Sequence, residues 1–144
     1  MKPFVFSLEK VLNLRKYHED EAKIELGRAT GVLADIESRM QTIAEERLRA
    51  SSSQFSPGNG IAEIQQYMYY LLRLDNTKEQ LIKDAALAEI KVEAARNAFI
   101  EASRDRKVLD KLKEKRYKEY RKMSFTEETK ALDDISVHQR VFNA

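Results

Sequence analysis

A chain of 144 residues with no Cys, four Gly, two Pro and 35% charged residues is long enough for one domain, but its composition suits extended helices better than a compact globule. The formal net charge of +2 gives no whole-chain signal for polyanion binding, and the lack of Cys excludes disulfides, thiolate nucleophiles and Cys-ligated zinc while fitting a reducing compartment. No continuous apolar run opens the chain as a signal peptide would, and its longest apolar cluster, YMYYLL, is far short of the roughly 18 residues a spanning helix needs, so a soluble, cytoplasmic protein is expected.

The first predicted helix covers about residues 7–50. Pro3 disfavours a helical Lys2, Ser7 can cap, and Glu9 falls in the first turn, where the helix dipole favours an acid. Val5, Leu8, Leu12, Arg15, Glu19, Ala22, Leu26, Ala29, Leu33, Ile36, Met40 and Ile43 follow one another in alternating steps of three and four. All but Arg15 and Glu19 are apolar, which makes a heptad seam. Gly27 and Gly31 interrupt this helix at about 1 kcal/mol each relative to Ala, and close approach of a partner helix is the expected reason.

Residues 51–60, SSSQFSPGNG, carry the interior proline and the two glycines outside helix one, and are read as the turn. The second predicted helix covers about residues 61–135. Its seam runs Ile64, Tyr67, Leu71, Leu74, Lys78, Leu81, Ala85, Ala88, Val92, Ala95, Phe99 and Ala102, with Lys78 its polar member. Beyond Ala102 the same register reads Arg106, Leu109, Lys113, Arg116, Tyr120 and Met123, so the seam turns basic. Tyr69, Leu72 and Asn76 share another face, expected to be either a second contact surface or a seat for the folded-back linker through Phe55.

Two long helices joined by a short linker predict an all-α fold, a single long antiparallel coiled-coil hairpin over residues 1–144. A turn centred near residue 55 sets Leu26 opposite Ala85, Leu12 opposite Phe99 and Val5 opposite Arg106. Helix one then ends, and helix two overhangs with Arg106, Lys113 and Arg116 uncovered. Between Arg104 and Lys122 stand ten basic and four acidic residues, so the excess of positive charge is local to that overhang.

Chemistry has little to work with here. His18 and His138 lack neighbouring ligands, the adjacent acids Glu45–Glu46, Glu127–Glu128 and Asp133–Asp134 point about 100° apart on a helix, and no phosphate-binding loop is present. No enzyme, cofactor, metal or small-molecule substrate is expected. Direct nucleic-acid binding is not expected either, since no recognised motif accompanies Tyr117, Tyr120 and the lysines. A thin apolar face on the basic stretch argues against insertion into a membrane and leaves weak attraction to anionic lipid.

The opening KPFVFSLEKVLNLRKYHEDEAKIELGRA, the GNGIA after the turn, RKVLDKLKEKRYKEY and the tail ETKALDDISVHQR together resemble the FliJ family of the bacterial flagellar export apparatus. The resemblance covers nearly the whole chain. It implies a non-catalytic stalk that docks in the hexameric export ATPase and touches the membrane-embedded export gate, with export chaperones as further partners, held peripherally at the cytoplasmic membrane face of the flagellar base. On that reading Phe4, Phe6, Arg106, Lys113, Arg116, Tyr120 and Arg121 face the ATPase, and Tyr69, Leu72 and Asn76 face the gate. Leu72 falls where the family has a gate-contacting apolar residue, whereas Asn76 replaces a second one. The alternatives are a coiled-coil adaptor or chaperone for other clients and the equivalent stalk of a type III injection system.

Overall fold

A computed structural model describes residues 2–54, 58 and 60–143. Among them the chain forms two α-helices and no strands: α1 spans Glu9–Gln54 and α2 spans Ile61–Asn143. They lie antiparallel as a helical hairpin, since Arg47 meets Asp75 while Glu9 meets Lys113. α1 continues past residue 50 through Ser51–Gln54, and α2 continues past residue 135. Gly58 has φ +96°, a left-handed conformation that costs glycine little and side-chain-bearing residues more. The carbonyl of Gly60 then accepts the amide of Ile64 to start α2. Phe55 and Pro57 lie outside the described residues.

The chain divides into two compact units, both built from α1 and α2 segments: Glu21–Ile100, and Met1–Asp20 with Glu101–Ala144. In the first, Ala50, Leu74, Leu81, Ala88, Val92 and Ala95 are buried, with Leu26, Leu33, Ile36, Met40, Ile43, Leu71 and Phe99 half-buried around them. Two helices cover only one side of each other, which is why most seam residues stop at half burial. In the second, Phe6, Leu12 and Leu109 form the buried core, and Phe4, Leu8 and Leu112 pack against it.

The predicted face of each helix is the one that turns inward. Lys78, the polar residue of the α2 seam, is exposed. What differs is the offset between the helices. Leu12 packs with Leu109, where the sequence reading set Phe99, and Arg106 meets Glu19, not Val5. The displacement is ten residues of α2, about 15 Å. The turn accounts for about half of it: α1 stays helical to Gln54 and α2 starts at Ile61, so the midpoint falls later than residue 55 and the pairing shifts by about five residues of α2.

Three further expectations are corrected. Val5 is 80% exposed, because residues 2–6 are not helical and the helical period does not govern them. Phe4 and Phe6 instead turn inward on either side of it, an alternation of period two. Gly27 and Gly31 have nothing within 4 Å of where a Cβ would stand, so no partner backbone approaches them closely. Arg106, Lys113 and Arg116 are not uncovered, as their contacts now show.

Candidate docking surfaces

The start of α1 and the segment before it lie along α2 and engage Arg106, Lys113 and Arg116, the residues expected to overhang. Arg106 bonds Glu19 through Nε and Asp110 through Nη1, and these contacts hold its guanidinium above its ordinary pKa; the hydrogen bond to Glu19 is the largest cause. Lys113 Nζ reaches Glu9 at 2.8 Å. Arg116 Nη1 donates to Ser7 Oγ at 2.8 Å, and its guanidinium stands over the Phe6 ring. Tyr120 donates its hydroxyl to the carbonyl of Lys2 at 2.6 Å. Arg15 Nη1 donates to the carbonyl of Asp105 at 2.8 Å. Thus Arg15 and Glu19, the polar residues of the α1 seam, meet α2 where its own seam turns polar.

Phe4 adds an aromatic cluster, with its ring centroid 5.3 Å from Tyr117 and 5.5 Å from Tyr120. Phe6 is 5% exposed and belongs to the core. Of the seven residues expected to face the ATPase, six therefore make contacts within the fold, Arg116 while still exposed, and Arg121 is exposed too. The true overhang starts beyond them. From Phe125 to Asn143 every residue of α2 is exposed, including Phe125, Leu132, Ile135, Val141 and Phe142.

In the unit spanning Glu21–Ile100, Tyr69 and Leu72 are 69% and 56% exposed, and Asn76 is exposed too. Their spacing of three and four residues puts them on one side of α2, and Met68, 57% exposed, enlarges that apolar surface. Nearby, Arg47 clamps Asp75 with Nε at 2.6 Å and Nη2 at 3.2 Å. These hydrogen bonds hold the Asp75 carboxyl below its ordinary pKa and Arg47 above its own. Tyr70 donates to Glu46 at 3.5 Å beside them. Sequence reasoning missed this pair because Arg47 lies beyond the last seam position it used, Ile43.

A second missed feature is a row of bases. Arg104, Lys107, Lys111, Lys115, Lys118 and Lys122 are all exposed, at steps of three and four that repeat the helical period. Counting net charge hid them among the seam bases. The same periodicity test applied to charge would have separated the two sets.

Among the described residues no group of three or more His, Cys, Asp or Glu could hold a metal ion, and no helix is long and apolar enough to cross a membrane. The model of one protein family, described as the flagellar FliJ protein, matches residues 4–142. No curated protein and no solved structure matches the chain.

Proposed function

We infer function from one premise: the chain belongs to the flagellar FliJ family. It is a non-catalytic component of the flagellar protein export apparatus and serves motility by that route. From this we further propose that it is a coupling element, docked in the hexameric export ATPase and touching the membrane-embedded export gate, with export chaperones as transient partners.

The observation that supports this most is the hairpin with its unequal helices. α2 runs on from Tyr120, its last described contact with the opening segment, to Asn143. A two-helix insert has no six-fold symmetry, so it touches the six sites of a ring unequally. It can then favour one nucleotide state at one site over the others, which is a coupling free energy and requires no chemistry from the insert itself.

The docking end is proposed to be the one that carries Phe4, Tyr120, Arg121 and the exposed α2 tail. Arg116 and Phe6 serve it indirectly by fixing the opening segment against α2, and Arg106 and Lys113 by fixing the start of α1. Tyr69, Leu72 and Asn76 are proposed as the gate-facing surface. Peripheral placement at the cytoplasmic membrane face follows from contact with the gate.

The test is nucleotide hydrolysis by the purified export ATPase of the same organism, with and without this chain. Stimulation is expected, weakened by Arg121→Glu and by removal of residues 125–144. Unchanged hydrolysis together with no co-sedimentation with the ring would instead favour an adaptor for other clients.

A further inference from the structure

The row of bases on α2 faces away from everything the fold itself uses. At 100° per residue, Arg104, Lys107, Lys111, Lys115, Lys118 and Lys122 fall within an arc of about 80°, and they extend over about 27 Å of helix. Arg106, Leu109, Lys113 and Tyr120, which contact α1 and the opening segment, lie on the opposite side. Among the described residues one carboxylate meets the row: Glu114 stands 3.5 Å from Lys118, with both side chains more than half exposed. Such a pair contributes little and is screened by salt.

We propose that this row is a contact surface for an anionic lipid bilayer. The inference deepens the peripheral membrane placement proposed above and rests on it for location alone.

The division of labour between Arg and Lys favours lipid over protein. Arginine's rigid fork suits fixed partners, and among the bases that the described contacts bind to fixed partners across this unit, Arg15, Arg106 and Arg116 outnumber Lys113. The row itself is five lysines and one arginine. Lysine is depleted from protein interfaces, whereas flexible ammonium groups gain from any surface that supplies negative charge wherever they land. Lipid headgroups do so because they are laterally mobile, and a straight one-sided row on a helix can lie against a plane along its whole length.

Nucleic acid is disfavoured by the aromatics. Tyr117 and Tyr120, which could stack bases, pack against Phe4 on another side of the helix, and no Asn or Gln lies in the row to read a base edge. At the C-terminal end of the row, Phe125 and Leu132 are 71% and 67% exposed on the adjoining sector, placed to enter the headgroup layer once the lysines bring the helix to it.

The experiment is co-sedimentation of the full chain with sucrose-loaded vesicles, either phosphatidylcholine alone or phosphatidylcholine mixed with phosphatidylglycerol, at low and high salt. Binding is expected only with phosphatidylglycerol and is expected to fade with salt. The combined variant Lys107→Gln, Lys111→Gln, Lys115→Gln should bind on the order of a hundredfold more weakly, at roughly fivefold per lysine. Lys10→Gln, Lys16→Gln, Lys23→Gln removes the same charge from α1 and should bind as the parent does. Glutamine is a good helix former, and circular dichroism checks the helix; if the triple variant loses it, Lys111→Gln alone is read for its fivefold effect.

Equal pelleting with both vesicles, or equal loss in both triple variants, overturns the proposal. Capture of a single-stranded oligonucleotide without vesicle binding overturns it too and assigns the row to nucleic acid. Vesicles carry neither ring nor gate, so their failure to bind leaves the coupling reading untouched. Loss of ring stimulation with vesicle binding intact would do the reverse.

Discussion

Gly27 and Gly31 stand on α1 with open space where a side chain would be. Glycine there gives up backbone freedom on folding and gains no contact in return, so Gly27→Ala and Gly31→Ala should each raise stability by roughly 0.5–1 kcal/mol. The midpoint of urea unfolding, followed by circular dichroism, reads this directly. Destabilisation by either change would mean that something approaches that face. Asp75 makes a prediction of opposite character, about pH. Its folded pKa is depressed by the Arg47 hydrogen bonds. The stability it contributes is therefore complete above its unfolded pKa of about 4 and is lost as pH falls through the lower, folded value. Asp75→Asn should remove that part of the acid-side loss. An unchanged slope of stability against pH in that range would show that the clamp does not persist in solution.

The helices found their inward faces by apolar spacing, but spacing repeats every heptad and leaves their offset open. Two features select it. Leu109 completes the buried core with Phe6 and Leu12, and one turn or so away the polar residues Arg15 and Glu19 meet the carbonyl of Asp105 and the guanidinium of Arg106. A shift by a heptad one way would set Glu19 against Phe99, and the other way would set Leu12 against Arg116, which is how polar seam residues specify register. The natural chain has no cysteine, so the offset can be tested cleanly. Leu12→Cys with Leu109→Cys should close a disulfide under mild oxidation, whereas Leu12→Cys with Ala102→Cys, a heptad away, should not, because bridging fails beyond about 7 Å between Cα atoms. The reverse result would restore an offset closer to the one the turn composition suggested.

For the molecule as a whole, apolar surface that the hairpin leaves in water is the best guide to its partners. Leu72 is more than half exposed, and changing it breaks no described contact. Leu72→Asp should therefore keep the parent's helicity and melting temperature while weakening binding to the gate's cytoplasmic domain by tenfold or more, the order expected when one anchor in a contact is lost. Titration calorimetry with both proteins measures it. Equal affinity would take the gate-facing role away from this side of α2. The same logic explains why the base-rich stretch was only half legible. Its positive charge was visible in sequence, but Arg106, Lys113 and Arg116 are spent on Glu9, Glu19, Asp110 and Ser7, and the other seven of the ten bases are exposed.

Sequence by itself determined the two helices, the face each turns inward, the antiparallel arrangement and the family, because scarce glycine and proline, a three-four apolar period and ordered motifs are local properties of the chain. Tertiary structure alone decided the offset of α2 against α1 and the burial of Phe6. Those depend on where the turn ends and on how the non-helical opening segment lies against α2. Contacts between residues about a hundred positions apart fix both, and no local period encodes them.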